Sequence, residues 1–298
     1  MSTILKWAGN KTAIMPELKK HLPAGPRLVE PFAGSCAVMM ATDYPHYLVA
    51  DINADLINFY KIASQHTEEL ISCSWGLFSE DNNAECYYDN RLRFNEDASL
   101  TALERAALFL YLNRHCYRGL CRYNQSGKFN VPFGNYKKPY FPHAEILTFA
   151  EKAVRATFIC ASYAETLEML QIGDVVYCDP PYDGTFAAYH TGGFSEKDQY
   201  HLASILERRS SEGYQVVVSN SDTSLVNSLY HNFTRHRITA KRSMGVEAGD
   251  GKSAEEIIAI SEMVAPVPLY GHAITFYQRF KRQGIQSKRN KNNTGGEL

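Results

Sequence analysis

Two consecutive prolines at the end of an apolar run constrain this chain more than any other feature. The run Val175–Cys178 has the composition of a short buried strand, and it is followed directly by Asp179, Pro180, Pro181 and Tyr182. Proline has no N–H to donate to a β-ladder and cannot continue a helix, so the chain must leave the strand as a rigid turn with exposed carbonyls. In a parallel sheet such a turn lies at the carboxyl edge, where α/β folds bind ligands.

The first part of the chain predicts that the sheet is parallel. The apolar run Leu28–Glu30 is followed by a glycine turn and a helical pattern over Cys36–Ala41. The run Tyr47–Ala50 ends in Asp51 before a second helical pattern, Asp55–Gln65. Two β-α steps in close succession favour right-handed crossovers within a parallel sheet. Further strands are predicted over Thr157–Ala161, Val175–Cys178, Gln215–Ser219 and Glu256–Ile260, and further helices over Pro142–Val154 and Lys197–Ser210.

A long stretch between these β-α units contains no comparable strand. The patterns Glu68–Phe78 and Leu100–Leu112 indicate helices, so the stretch is a largely helical insertion. We therefore predict one domain formed by residues 1–54 and 145–270, and a second formed by the insertion 55–144. Residues 271–298, which are rich in Lys, Arg, Asn and Gly, are predicted to be a basic, disordered tail.

Charge is distributed unevenly along the chain. The formal net charge is −1, yet residues 111–138 hold six basic side chains and no acidic one, and the last 28 residues hold six basic side chains against one glutamate. Six aromatic residues are interleaved with the cations of the internal segment. Such a segment suits contacts with phosphates and stacking on bases, although a solvated loop with aromatic residues turned into the core has the same composition. Its basic residues are Arg114, Arg118, Arg122, Lys128, Lys137 and Lys138.

The composition argues against a membrane protein, a disulfide-rich secreted protein and a zinc protein. The longest uninterrupted apolar run, Ala106–Leu112, has seven residues, whereas ~20 are needed to cross a bilayer. The first residues contain no apolar stretch of signal-peptide length. Seven cysteines without a C-x-x-C pair fit neither a disulfide framework nor a structural zinc site. We expect a soluble cytoplasmic protein with no metal ion, and nothing indicates an obligate protein partner.

The turns at the strand ends suggest a nucleoside cofactor and an amine substrate. Phe32 and Gly34 lie in a turn that lets backbone approach a ligand, and Asp51 is placed to accept from ribose hydroxyls. The chain lacks G-x-G-x-x-G, which favours a cofactor without phosphates, such as S-adenosylmethionine. Asp179 and the Pro180 carbonyl can accept from a planar amine, and Tyr182 can stack on a flipped base.

Several motifs in a fixed order resemble those of the Dam-type DNA adenine-N6 methyltransferases of bacteria and their phages. The resemblance implies a Rossmann-like S-adenosylmethionine-dependent methyltransferase fold whose helical insertion recognises double-stranded DNA. It also implies methyl transfer to N6 of a flipped adenine in GATC. It extends from Leu5 to about Glu262 and rests on LKWAGNK (5–11), LVEPFAGS (28–35), ADIN (50–53), LNRHCYRGLCRYN (112–124), FNVPFG (129–134), YKKPYF (136–141), VVYCDPPY (175–182), FAAYH (186–190) and SNSDT (219–223).

The resemblance and the turn chemistry together assign roles to individual residues. The expected catalytic residues are Asp179, Pro180 and Tyr182. The expected cofactor-binding residues are Trp7, Lys11, Phe32, Gly34, Asp51, Ser162, Tyr163 and Asp179. The expected DNA-contacting residues are Lys6, Arg114, Tyr117, Arg118, Leu120, Arg122, Asn124, Pro132, Tyr136 and Lys137. Within that set, Lys6, Leu120, Arg122 and Pro132 match residues that read GATC in the family, and arginine on a guanine edge is the commonest specific contact.

Three residues depart from the family's pattern. Asn10 stands where a glycine is usual, and the turn is expected to survive because Asn tolerates left-handed geometry. Arg118 replaces an asparagine in the element that enters the duplex, and Asn135 replaces an arginine that touches the DNA backbone. These two changes affect local contacts, flanking-sequence preference and processivity.

Other functions remain open at the level of sequence. A methyltransferase acting on RNA adenine, DNA cytosine-N4 or protein glutamine is the nearest alternative. An Asn or Ser in place of Asp179 would favour the last two, and the insertion favours duplex DNA over RNA. A DNA-binding regulator on a degenerate methyltransferase scaffold is disfavoured because the residues expected at the site are intact, namely Trp7, Lys11, Asp51 and Asp179. The sequence does not distinguish a role in DNA replication from phage DNA protection or restriction-modification.

Overall fold

The structure, a computed structural model, describes residues 3–183, 193–241 and 253–262. The FAAYH motif and the predicted basic tail lie outside these residues. No described helix is long and apolar enough to span a bilayer. The α-helices are α1 (Met15–His21), α2 (Ala37–Ala41), α3 (Ala54–Gln65), α4 (Thr67–Phe78), α5 (Ala84–Glu96), α6 (Ala102–His115), α7 (His143–Ala153), α8 (Tyr163–Glu168), α9 (Glu196–Ser211) and α10 (Ser224–Leu229), with 3₁₀ turns at Lys11–Ala13 and Tyr117–Gly119.

The described strands form one sheet in the order β3-β2-β1-β4-β5-β7-β6. Strands β1 to β5 are parallel to one another, and β7 runs antiparallel between β5 and β6. The strand order reverses between β1 and β4, which is where open α/β sheets bind ligands. The strands are β1 (Arg27–Glu30), β2 (His46–Asp51), β3 (Ala156–Cys160), β4 (Val175–Cys178), β5 (Gln215–Ser221), β6 (Phe233–Lys241) and β7 (Ser253–Ser261). The predicted Rossmann-like α/β fold is confirmed.

The register of the central strands decides which side chains meet at the carboxyl edge. Val29 of β1 pairs with Val176 of β4, and both are fully buried because helices cover both faces of the sheet. The strands point the same way, so Glu30, Asp51 and Asp179 are brought to one edge by the ends of β1, β2 and β4.

One hydrophobic core joins the sheet to the helical insertion. The ring of Tyr60, on α3, lies 5.2 Å from that of Phe149 on α7 and 5.7 Å from that of Phe158 on β3. The preceding residue of α3, Phe59, packs with its ring centroid 6.1 Å from that of Phe109 on α6. Helix α3, the first helix of the insertion, therefore packs against both the sheet and the later helices of the insertion.

Four α-helices (α1, α5, α8 and α10) and strand β6 are absent from the sequence prediction, and of these α5 and β6 have weak patterns. Helix α5 is mostly polar and buries only Tyr87, Asn90 and Phe94, so its stability comes from tertiary contacts more than from an amphipathic face. Among the described residues, strand β6 pairs on one side only, and its exposed side chains include Arg235 and Arg237. Charged edge strands of this kind protect a sheet from further pairing and carry little hydrophobic signal.

Candidate active site

Asp179 and Lys11 form an ion pair at the carboxyl end of β4. Lys11 Nζ lies 2.8 Å from Asp179 Oδ1, and the side chains are 7% and 21% exposed, respectively. The same ammonium group donates to the Gly9 carbonyl at 2.8 Å. The N-terminal segment thus places a buried cation against the proline turn.

The turn that presents Lys11 is formed differently from our expectation. Asn10 has φ −53°, so it does not adopt the left-handed geometry that we expected to accommodate it. The left-handed residue is Gly9, at φ +75°, and the Asn10 side chain instead accepts from the Thr12 N–H at 2.8 Å. Asn10 is therefore compatible with the turn because it caps the following 3₁₀ turn.

Two opposing effects act on the pKa of Asp179. Burial raises the pKa of Asp179 to about 6, because the carboxylate loses its hydration, while the Lys11 charge opposes the rise. At pH above about 7 the carboxylate is ionised and can accept hydrogen bonds on both oxygens. Pro180, which follows, is buried.

Tyr182 is fixed at its hydroxyl and lies against Lys11. Its hydroxyl donates to Glu256 Oε2 at 2.8 Å, and Lys11 Nζ lies 4.6 Å from the ring centroid. Burial, followed by the negative charges of Asp179 and Glu256, raises the pKa of Tyr182 well above its usual value, so the phenol remains protonated. The ring orientation is thereby set by contacts at both ends of the side chain.

A third carboxyl group lies beneath the turn. Glu30, at the end of β1, is 2% exposed, and no described group donates a hydrogen bond to its Oε1 atom. Burial and the charge of Asp179 raise the pKa of Glu30 to about 8, although a hydrogen bond from the Met39 backbone opposes the rise. Asp179 is therefore coupled electrostatically to two other carboxyl groups, those of Glu30 and Glu256, and to the Lys11 ammonium.

Three of the expected cofactor residues meet at the turn after β1. Gly34 has φ +46°, and its N–H donates to Asp51 Oδ2 at 3.2 Å. A Cβ atom on Gly34 would lie 3.1 Å from Trp7 Nε1, so only glycine lets the indole approach the turn this closely. The second Asp51 oxygen accepts from the Asn53 N–H at 3.0 Å. Trp7, Gly34 and Asp51 thus form one wall of the site.

Aromatic residues form a second wall. The rings of Phe32 and Tyr163 stack at 5.6 Å with an interplanar angle of 21°, and Phe194 packs edge-on against Phe32 at 5.9 Å. The Tyr163 hydroxyl and His201 Nδ1 lie 2.9 Å apart. Next to Tyr163, Ser162 is used locally, since its hydroxyl forms a capping box with Glu165 at the start of α8.

The basic segment folds into a second feature, the ribbon formed by residues 116–134. Isolated bridges join Cys116 to Phe133 and Tyr123 to Phe129. Asn124 closes the tip of the ribbon, and its side-chain oxygen accepts the N–H groups of residues 126 and 128 at 3.0 and 2.9 Å. The structure therefore gives Asn124 a turn-forming role, and its DNA contact stays a prediction.

Arg122 is held across the ribbon. Its Nε donates to Asn130 Oδ1 at 2.7 Å, and its Nη2 donates to the Asn130 carbonyl at 3.2 Å. The side chain is half-buried. These two bonds fix the plane of the guanidinium, which is what bidentate recognition of a base edge requires.

Helix α5 supports the ribbon from behind. Tyr87 and Arg91 donate to the Val131 carbonyl at 2.7 and 3.0 Å. Asn95 donates to the Phe129 carbonyl at 3.0 Å and accepts from the Phe129 N–H at 2.8 Å, as a neighbouring strand would. The three side chains are spaced four residues apart and so share one face of the helix. This spacing is the sequence signal that could have revealed α5.

Lys6 lies beside the ribbon. Its ammonium is 4.0 Å from the centroid of the Tyr136 ring, and its backbone pairs with the Asn113 side chain at 2.9 and 2.8 Å. Burial, reinforced by the nearby Arg114 charge, lowers the pKa of Lys6. Gly119, at φ +66°, is required here because a Cβ atom would lie 2.3 Å from Lys6 Cβ.

Most of the other expected DNA-contacting residues have exposed or half-buried side chains. Tyr117 is 45% exposed, and the Arg118 guanidinium lies 5.2 Å from the centroid of the Tyr117 ring. Arg118 has φ +56°, a left-handed geometry that Asn adopts more readily than Arg. Leu120 and Tyr136 are half-buried, and Pro132, Lys137 and Lys138 are exposed.

Arg114 is an exception, and its predicted DNA contact is not supported. The side chain is buried, at 6% exposure, and its guanidinium donates to the carbonyls of Ile4 and, at 3.2 Å, Thr3. Arg114 lies in the last turn of α6, where it anchors the N-terminal segment to the insertion. A composition-based prediction treats every cation of a basic segment alike and cannot separate such a buried anchor from a surface contact.

Glu256 is the principal site residue that the sequence prediction omits. It lies in β7 and pairs with Ser221, at the carboxyl end of β5. Because β7 runs antiparallel, the beginning of this strand, and not its end, reaches the ligand-binding edge. The sequence predicted the strand but not its direction, so the side chain was not placed.

Comparisons with known proteins agree with this geometry. A family model described as D12 class N6 adenine-specific DNA methyltransferase matches residues 7–244. The chain is 71% identical over 261 residues to the retron Ec67 DNA adenine methylase of Escherichia coli, covering 88% of this chain and 92% of that protein. It is 46% identical over 262 residues to the DNA adenine methylase of Escherichia coli strain K12, covering 86% of this chain and 94% of that protein.

Proposed function

Because the chain belongs to the D12 class of N6 adenine-specific DNA methyltransferases, we propose that it methylates the adenine of GATC in duplex DNA with S-adenosylmethionine as donor. In this proposal the adenine leaves the base stack and enters the site beside Asp179 and Tyr182. The observation that carries the proposal is the buried Lys11–Asp179 pair at 2.8 Å, next to the Tyr182 ring, at the carboxyl edge of the sheet.

The amino group of adenine needs activation because its lone pair is delocalised into the ring. Hydrogen bonds from the amine to the Asp179 carboxylate and to the Pro180 carbonyl would favour a more tetrahedral nitrogen with an available lone pair. Tyr182 would stack on the flipped ring and hold it at the distance and angle that the transfer requires. The chain's contribution is thus orientation of the amine and stabilisation of the positive charge that develops on it.

The residues around the site fit S-adenosylmethionine. The cofactor carries a sulfonium, an ammonium and vicinal ribose hydroxyls. The site offers the carboxyl groups of Asp51 and Asp179, and a buried Glu30 Oε1 atom that has no hydrogen-bond partner among the described residues. When bound, the cofactor supplies a methyl group on an electrophilic sulfur. Asp179 and Asp51 would accept hydrogen bonds from its polar groups, and the aromatic wall would contact its base. The residues proposed to hold it are Trp7, Lys11, Phe32, Gly34, Asp51, Ser162, Tyr163 and Asp179.

We propose that the insertion, residues 55–144, reads the DNA. Arg122 has a fixed guanidinium plane suited to a guanine edge. Leu120, Pro132 and Lys6 are proposed to contact the other base pairs of GATC, with Tyr136 supporting Lys6. Lys137 is exposed and is proposed to contact phosphate, which gives affinity without sequence selection.

Sequencing with detection of modified bases tests the proposal directly. Plasmid DNA from cells that lack adenine methylation is incubated with the purified full-length protein and S-adenosylmethionine. We expect N6-methyladenine at GATC sites and unmodified adenine elsewhere. Methylation at another sequence would overturn the GATC assignment, and unmodified DNA with intact cofactor binding would favour a regulator on the same scaffold. RNA offered in parallel should remain unmethylated.

A further inference from the structure

A chain of buried amides outside the predicted site contacts the residues that follow Pro180. Gln199, in the first turn of α9, donates from Nε2 to the Pro181 carbonyl at 2.8 Å. Asn220, in β5, donates from Nδ2 to Gln199 Oε1 at 3.1 Å. The Asn220 oxygen accepts from the Asp183 N–H at 3.4 Å. The two amides therefore reach the residue on each side of Tyr182.

Asp183 receives two further hydrogen bonds from the SNSDT motif. Ser221 Oγ donates to the Asp183 carbonyl at 3.1 Å, and Thr223 Oγ1 donates to Asp183 Oδ2 at 2.8 Å. The N–H, carbonyl and carboxylate of Asp183 are thus all bonded. The hydroxyl of Tyr182 is held by Glu256. Tyr182 is therefore restrained through both of its neighbours in the chain, Pro181 and Asp183, and at its own hydroxyl.

The proline turn needs this support because it makes few backbone hydrogen bonds of its own. Pro180 and Pro181 have no N–H, so they cannot join the ladder that fixes ordinary strand ends. Buried amides are costly unless they are hydrogen-bonded, and Gln199 and Asn220 are 2% and 0% exposed. The inward face of α9 continues with Leu202, Ala203 and Leu206, which shows that an apolar residue suits that face and that packing alone does not require a glutamine.

We propose that Gln199 and Asn220 are positioning residues for methyl transfer, because they hold the Pro181–Asp183 segment so that Tyr182 and the Pro180 carbonyl meet the target amine. In this proposal the two residues act through the proline turn and contact neither the target adenine nor S-adenosylmethionine. The inference rests on the proposed role of the turn in binding the flipped adenine. A displacement of about 1 Å in a reacting group can lower a rate roughly a hundredfold. Loss of the hydrogen bonds from Gln199 and Asn220 to this segment should therefore reduce the rate of the chemical step.

The test is the single-turnover methylation rate of Gln199→Met in the full-length chain, with saturating S-adenosylmethionine and a GATC duplex. Methionine keeps the length of the side chain and removes both hydrogen bonds. We expect the rate constant per active site to fall about tenfold or more, with the dissociation constants for cofactor and DNA unchanged within about threefold. The matched control is Gln65→Met, at an exposed position of α3, which should retain the wild-type rate.

Asn220→Asp and Asn220→Ala provide an independent test if Gln199→Met is poorly folded. Aspartate keeps the acceptor for the Asp183 N–H, so it should retain more of the rate than alanine does at equal thermal stability. A wild-type rate in Gln199→Met, or equal rates in the two Asn220 variants, would overturn the proposal. So would a loss of rate matched by equal losses in cofactor and DNA affinity. Absence of methylation by the wild-type protein would instead contradict the proposed function.

Discussion

The ammonium of Lys11 lies 2.8 Å from the carboxylate of Asp179, although the two residues are 168 positions apart in the chain. The pair links the N-terminal segment to the end of β4. It also opposes the effect of burial on Asp179, because the Lys11 charge lowers the pKa that burial raises.

Asp179→Ala should abolish methyl transfer and leave a folded protein that binds DNA. The side chain is expected to accept a hydrogen bond from the target amine, and alanine leaves that N–H without a partner. Transfer of labelled methyl groups to a GATC duplex measures the effect, with circular dichroism as the check on folding. A variant that retains more than about a tenth of the wild-type rate, a loss under ~1.4 kcal/mol, would remove Asp179 from the catalytic set.

The methylation rate should depend on pH through Asp179. The pKa of about 6 predicts that the single-turnover rate rises with pH up to about 7 and is then constant, because the ionised carboxylate is the hydrogen-bond acceptor. Lys11→Met removes the charge that lowers this pKa, so the rise should move to higher pH when measured at saturating cofactor. Lys19→Met removes an exposed lysine of α1 as a control. An unchanged profile in Lys11→Met would show that another group controls the rate.

Because of Glu30, the free energy of unfolding of the wild-type protein should fall as the pH rises. The pKa of Glu30 is about 8 in the folded protein, above the reference value of 4.5, so the folded state retains a proton that the unfolded state releases. The resulting stabilisation is complete below pH 4.5 and is lost as the pH rises through about 8, at a rate on the order of 1 kcal/mol per pH unit. Glu30→Gln should lack this dependence. Urea denaturation of both proteins at pH 5, 6.5 and 8 measures it, and parallel curves would contradict the assignment.

Tyr182→Ala should lose the stacking of the flipped base, worth on the order of 1 to 3 kcal/mol. Tyr182→Phe keeps the ring but removes the hydrogen bond to Glu256, so its effect should be milder. A duplex with 2-aminopurine at the target position reports base flipping by fluorescence. Identical fluorescence changes with wild type and Tyr182→Ala would show that the ring does not contact the base.

Arg122 and Lys137 should respond differently to substitution. Loss of a bidentate contact to guanine costs roughly 1 to 3 kcal/mol of discrimination, so Arg122→Ala should relax selection at one base pair of GATC. Lys137→Ala should lower methylation of GATC and near-cognate sites by similar factors and reduce the salt dependence. The measurement is kcat/KM on duplexes carrying each single substitution. A uniform loss of kcat/KM across all of these duplexes in Arg122→Ala would assign Arg122 to contacts with the DNA backbone.

The sequence predicted the parts of this molecule that have strong local patterns. Strands such as Val175–Cys178 were placed correctly because a buried strand with a proline turn has a distinctive composition. Contacts between distant elements were not predictable in the same way. The presence of Glu256 at the site depends on the direction of β7, and the contact of Gln199 with the proline turn depends on how α9 packs over it. The burial of Arg114 was not predictable either, because only the folded structure separates a buried cation from an exposed one.

The N-terminal segment that carries Lys6 and Lys11 also makes the two halves of the molecule mechanically interdependent. Only four residues separate these lysines, so the distance between the Tyr136 ring and the Asp179 carboxylate is limited by a backbone at most roughly 18 Å long when extended. Trp7 and the left-handed Gly9 lie within that short span. A shift of this segment at Lys6, which is proposed to contact DNA, is therefore expected to move the ammonium beside Asp179 without passing through the sheet. Changes in the length of this segment should disturb reading and chemistry at the same time.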